Sequence, residues 1–246
     1  MSRLFSISKH LTACFYALVF TSCLDTREEV WINADASGAA RFQIAMPLAT
    51  TKLHGGEAGV KKMIEDYLNE TTVFSSYSLN TSSEDDRLKI DLAVTFDNAL
   101  DLRKATTGEA FEKLPSASAE MMGHTEVEFQ GLSLAFSRRT ELYKAIPGAV
   151  FFPKSQLQGH SITTIIHLPE AATANNATST ENGNRTLIWT TPLETAFSKP
   201  METSFTMPIP IPWFAISLVV TLLIIMISAL TYYILRRRAR RRNATA

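Results

Sequence analysis

The sequence predicts an α+β domain, an antiparallel sheet of hairpins packed with one or more helices, followed by a single C-terminal transmembrane helix. Three patterns carry that prediction. Apolar residues alternate with polar or small ones through Phe42, Ile44 and Met46 and again through Leu88, Ile90, Leu92, Val94 and Phe96, the period of a half-buried strand. Val60, Met63, Ile64, Tyr67 and Leu68 fall at the spacing of one helix face. The run WFAISLVVTLLIIMISALTYYIL, residues 213–235, holds 23 uncharged residues and would extend ~35 Å as a helix, enough for ~30 Å of hydrocarbon.

Taken from the start, residues 1–23 read as an export signal of the lipoprotein type. Arg3 and Lys9 precede an apolar run from Leu11 to Phe20, too short to span a bilayer comfortably. Phe20-Thr21-Ser22-Cys23 then has the form of a lipobox, which makes Cys23 the candidate lipidation site. Cys14 lies inside the apolar run and acts as a small hydrophobe. Both cysteines fall within this segment, so the domain that follows is stabilised by core burial and not by internal disulfides.

The extracytoplasmic domain is expected over residues 24–197. Its first hairpin pairs Glu28–Ala34 with Ala39–Met46 around the turn Asp35-Ala36-Ser37-Gly38. A helix from about Glu57 to Asn69 follows Gly55-Gly56, and the strand Leu88–Phe96 has the cleanest alternation. Residues Asn98 to Gly123 hold one or two short helices interrupted by Pro115. A strand pair or long bent strand comes next, with Gly131 as a bulge where the alternation changes phase. After Pro147-Gly148, strands at Ser161–Leu168 and Arg185–Thr190 are joined by a polar, turn-rich segment. Residues 198–212 contain Pro200, Pro208, Pro210 and Pro212 and read as an extended, semi-rigid linker.

Charge sets the orientation. Arg236, Arg237, Arg238, Arg240, Arg241 and Arg242 crowd the tail 236–246, while all 24 acidic residues precede the helix. Trp213 and Phe214 mark one end of the helix and Tyr232 and Tyr233 the other. Aromatic belts with arginines on one side place the tail in the cytoplasm and the domain outside. The middle of the chain carries about eight net negative charges by formal counting, which disfavours a nucleic-acid partner.

Residues suited to chemistry are sparse. His54, His124, His160 and His167 are scattered, without an H-E-x-x-H pair or a nearby cysteine, so no metal site or cofactor is expected. Glu84-Asp85-Asp86 lacks the spaced ligands of a calcium loop and reads as a solvated turn. GGEAGVKK lacks P-loop spacing, and no G-x-S-x-G elbow occurs. No catalytic residue is assigned, and an enzyme is not expected.

The lipobox-like Cys23, the strand pair VWINADASGAARFQIAMPL, the segment IIHLPEAATANNATSTENGNRTLIWTTPL and the C-terminal helix with its basic tail resemble bacterial envelope lipoproteins of the LppM-domain type. The resemblance spans most of residues 24–242, with Phe20 and the stretch Asn98 to Gly123 as departures. It implies Asn176, Asn182 and Gly183 in a turn, Trp189 packed on the core, and a binding or envelope role without catalysis. The expected partners are the bilayer and an apolar or glycolipid ligand or another envelope protein. Two alternatives share the topology or the anchor: an assembly component acting through the arginine tail, and a type I single-pass protein without lipid. In the latter the sequons at Asn69, Asn80, Asn176 and Asn184 would matter. A hydrolase built from dispersed residues is the third class.

Overall fold

The computed structural model describes residues 25–52, 55–114, 116–145, 154–210 and 213–243. The signal segment with Cys23, His54, Pro115 and the Pro147-Gly148 loop lie outside them. The chain divides into two units, residues 1–209 and 210–246.

The first unit starts with β1 (Asp25–Ile32) and β2 (Gly38–Pro47), antiparallel neighbours. Asp35 fixes their turn by accepting from the Ser37 amide and hydroxyl. Gly38 has no alternative there, because a Cβ would strike the Trp31 carbonyl and the Phe96 ring. Helix α1 (Gly56–Glu70) follows, and then the hairpin of β3 (Ser76–Glu84) and β4 (Arg87–Phe96). Asp85 and Asp86, both at positive φ, form its two-residue turn. The expected strands and helix at 28–34, 39–46, 57–69 and 88–96 thus appear with small shifts of their ends.

A 3₁₀ segment (Ala99–Thr106) and short helices at Glu109–Glu112 and Ser116–Met122 occupy the stretch expected to be helical. The hairpin of β5 (His124–Gln130) and β6 (Ser133–Thr140) comes next. Gly131 is not a bulge: with Leu132 it makes the turn, at φ +65°. Then come β7 (Ser161–His167), two short strands β8 (Ala174–Asn175) and β9 (Ser179–Glu181), β10 (Thr186–Pro192) and β11 (Met201–Pro208).

Two sheets result. The larger has the order β3-β4-β2-β1-β7-β10-β9 and the smaller β5-β6-β11-β8. The larger sheet is mixed, because β1 and β7 run parallel; hairpins alone would have made it antiparallel throughout. The segment expected to be a linker is a correction as well. Met201–Pro208 pairs with β6 along its whole length and buries Thr203, Phe205 and Met207. Pro200 precedes the strand and Pro208 ends it, positions where a missing amide interrupts the ladder least.

One face of the larger sheet is covered twice. The smaller sheet lies on one part, where Leu134, Phe136, Phe205 and Met207 meet Val30, Ile166, Leu187 and Trp189. Helix α1 lies on another, where Val60 and Ile64 meet Leu88, Ile90, Ile44 and Leu79. Trp189 packs in the core as the sequence resemblance implies.

The second unit contains helix α2 (Trp213–Asn243), 31 residues long. Among the described residues no helix is long and apolar enough to cross a membrane. The described side chains of α2 fall within residues 217–233, ~25 Å of helix against ~30 Å of hydrocarbon. The single C-terminal span expected at 213–235 is therefore not supported by them. The backbone of residues 236–242, with the six arginines expected to set the orientation, continues this helix.

Candidate functional site

Strand alternation sends Asp25, Arg27, Glu29 and Trp31 to the face of the larger sheet opposite the core. Ladder pairing brings Gln43 and Arg41, then Lys89 and Asp91, then Ser82 and Asn80 onto the same side, with Thr163 of β7 next to Arg27. At the end where β1 begins, Asp25, Arg27, Gln43, Asn80, Ser82, Lys89, Asp91 and Thr163 line an open trough of about 580 Å³ that also includes Ser161.

The charges around the trough are largely compensated within the sheet. Arg41 holds Asp91 through two hydrogen bonds, at 2.8 and 2.5 Å, and Lys89 meets Glu84 at 2.5 Å. Arg41 keeps Asp91 below the usual carboxylate range against the opposing effect of burial. Asp25 sits between His160, at 3.0 Å, and Arg87, at 3.3 Å. Burial pushes its carboxyl up, but the hydrogen bonds from those two partners outweigh it and hold the group below its ordinary value. The amides and hydroxyls of Gln43, Asn80, Ser82, Ser161 and Thr163 share the lining with the apolar Ile44, Ala45 and Ile90, a mixed polar and apolar surface.

Beside the trough, Trp31 stacks on His167 with ring centroids 5.3 Å apart. His167 Nε2 meets Glu29 at 2.9 Å, and its Nδ1 meets the Thr186 hydroxyl at 3.2 Å. Burial raises Glu29, but hydrogen bonds from His167 and Arg27 lower it below its ordinary value. Carboxylate, imidazole and hydroxyl stand in the order of a nucleophile relay. Thr186 is buried, however, and its oxygen accepts from Asn182 at 3.0 Å, so the hydroxyl is held inside the ladder and away from a substrate.

His160 and His167 are thus both satisfied by carboxylates, and His124 is exposed. Among the described residues no group of three histidine, cysteine or acidic side chains is placed to hold a metal. The Glu84-Asp85-Asp86 turn is exposed, with Glu84 tied to Lys89. Asn176 is fully engaged: its Oδ1 accepts from Trp189 Nε1 at 2.7 Å and from the Ser204 amide, and its Nδ2 donates to the Glu202 carbonyl.

Between the two sheets lies a polar contact that periodicity gave no hint of. Arg138 of β6 reaches Glu28 of β1 through both terminal nitrogens, Nη1 at 2.7 Å, and approaches the Thr164 hydroxyl at 3.4 Å. Its Nε is buried without a hydrogen-bond partner. Burial opposes the guanidinium charge, but Glu28 outweighs it and raises the arginine further above its usual value.

No family model and no curated protein matches the chain. Among solved structures it is similar to the folded domain of LppM from Mycobacterium tuberculosis, determined by NMR. That match has 13% sequence identity, covers 77% of this chain and 91% of that chain, and has a TM-score of 0.47. The likeness brings no activity with it.

Proposed function

We propose that the chain is a membrane-anchored envelope lipoprotein whose extracytoplasmic domain is a non-catalytic binding module for the polar headgroup of a glycolipid. The observation that carries this reading is the position of the trough. Its first residue, Asp25, stands two positions after Cys23, a reach of at most ~7 Å. A diacylglyceryl group on Cys23 therefore sets the trough at the headgroup layer. Compensated charges disfavour a free phosphate, and amides and hydroxyls set beside Ile44, Ala45 and Ile90 favour a sugar, which offers both hydroxyls and C–H faces, over a bare acyl chain. An apolar ligand between helix and sheet is disfavoured, because Val60 and Leu68 already fill that seam with buried side chains.

The second anchor is the uncharged run 213–235, with the arginines after it holding the C-terminus in the cytoplasm. Protease protection on spheroplasts, combined with mass spectrometry of the N-terminus, tests the anchoring. An acylated Cys23 with residues 24–209 digested from outside supports it, and a mature chain still carrying Met1 refutes it. For the ligand, vesicles of phosphatidylcholine with and without a glycosyl diacylglycerol serve as probes. Gln43→Leu with Thr163→Val should abolish the preference for the glycosylated vesicles.

A further inference from the structure

The turn between β5 and β6 exposes two large apolar side chains, Phe129 at 61% and Leu132 at 70% of their full accessible area. Single exposed hydrophobes are ordinary on a protein surface. A pair at the tip of one hairpin, with only Gln130 and Gly131 between them, needs a partner to cover it.

What stands beside that tip identifies the partner. The Ile209 amide donates to the Leu132 carbonyl at 2.9 Å, and Pro208 is paired with Ser133. Four residues later the chain enters α2 at Trp213, so the chain between Ile209 and the helix start reaches at most ~14 Å. Charge agrees with proximity to lipid. No charged residue occurs from Thr203 to Leu235, nor on the hairpin from Phe129 to Ser137.

We infer that the β5–β6 tip, Phe129 to Leu132, is an interfacial membrane wedge. It enters the headgroup region of the same bilayer that α2 anchors to, and so fixes how the domain is seated. Phe129 supplies an aromatic ring of the kind enriched at that depth, and Leu132 the apolar end. Glu126 and Glu128, exposed on the same strand, stop insertion at the tip. The inference rests on the membrane-anchored reading through the helix, and its test separates the two.

The full chain with Cys14→Ser and Cys23→Ser receives one new cysteine at a time, at Leu132, Gln130, Lys62 or Ile224. Each is labelled with an environment-sensitive fluorophore and reconstituted in phosphatidylcholine–phosphatidylglycerol vesicles carrying a spin-labelled lipid. The label at Ile224 reports the anchor, and Lys62, exposed on helix α1 over the face of the larger sheet opposite the trough, reports the solvent-facing surface. The labels at Leu132 and Gln130 should lose about half of their emission to a shallow spin label and less to a deep one, the signature of interfacial depth, while Lys62 stays bright. A quenched Ile224 with bright Leu132 and Gln130 overturns the wedge and leaves the anchor standing. A bright Ile224 overturns the anchored reading and the wedge with it. Equal quenching at Lys62 and Leu132 overturns the wedge.

Discussion

Replacing Arg138 alone should cost the domain far more than replacing it together with Glu28. The two side chains join the sheets from β6 to β1 and keep only 20% and 17% of their exposure. Arg138→Ala strands a carboxylate between the layers, and breaking a buried pair in this way costs about 3–5 kcal/mol. The remaining access to solvent places the expected loss near ~3 kcal/mol. Glu28→Leu with Arg138→Met removes both charges, fills the same space and relieves the unpartnered Nε. Such replacements range from neutral to stabilising by about 1–4 kcal/mol. Urea unfolding of residues 24–209, with wild type, Arg138→Ala, the single variants Glu28→Leu and Arg138→Met, and their double variant, gives the coupling energy from the last three against wild type. A double variant as unstable as Arg138→Ala, within ~0.5 kcal/mol, would refute the reasoning, since stability would then come from side-chain volume and not from charge compensation.

Asn176→Ala leaves the buried Trp189 Nε1 without its acceptor, at a cost of about 1–3 kcal/mol; Asn176→Asp, which keeps an acceptor, should lose less in the same urea titration. Asp25 and Glu29 lie below their ordinary values of 3.8 and 4.5 in the folded protein. Their ionic contacts therefore add stability that is present above those values and is lost as pH falls through the lower folded ones. Asp25→Asn with Glu29→Gln should flatten the acid limb of a stability–pH curve, modestly, because Asp25 is partly exposed. Burial raises the Tyr67 phenol to about 12, and the group donates to the Ala105 carbonyl at 2.7 Å. In an ultraviolet titration the Tyr67 phenol should ionise at about 12, and Tyr67→Phe should remove that step while leaving the separate upward shift of Tyr143, which its hydrogen bond to Glu141 causes. The stability from the Tyr67 contact is complete below the ordinary value of 10.0 and disappears as pH rises through about 12.

Strands with one apolar face were legible because burial imposes a period of two, and β2 and β4 appear nearly where that period puts them. Strand β3 was not. SYSLNTSSE has a single aliphatic residue, Leu79, and its place is set by β4 beside it; an edge strand needs little apolar surface of its own. Strand β11 carried a readable alternation in Thr203, Phe205 and Met207, but the four prolines around it gave the stronger local signal. The parallel contact of β1 with β7 joins residues more than 130 apart, and no local pattern encodes it. The trough was hidden for the same reason. Gln43, Asn80, Asp91 and Thr163 are unremarkable singly, and they converge only through the ladder.

The direction of the strands constrains how such a domain meets a membrane. β1 and β7 begin at one end of the fold, where His160 binds Asp25 and its carbonyl accepts from Leu193 just after β10. β11 starts near that end and runs away from it, since Thr206 accepts from Thr173, which follows the far end of β7. On the proposed anchoring, a lipid on Cys23 would hold the end that carries the trough, and the proposed wedge would hold the end that carries the Leu132 tip. Removing one anchor should release one end only. In Cys23→Ala, a fluorophore at Arg27→Cys should lose its quenching by a shallow spin-labelled lipid while one at Leu132→Cys keeps it. Loss at both positions would show that the two ends are not held independently.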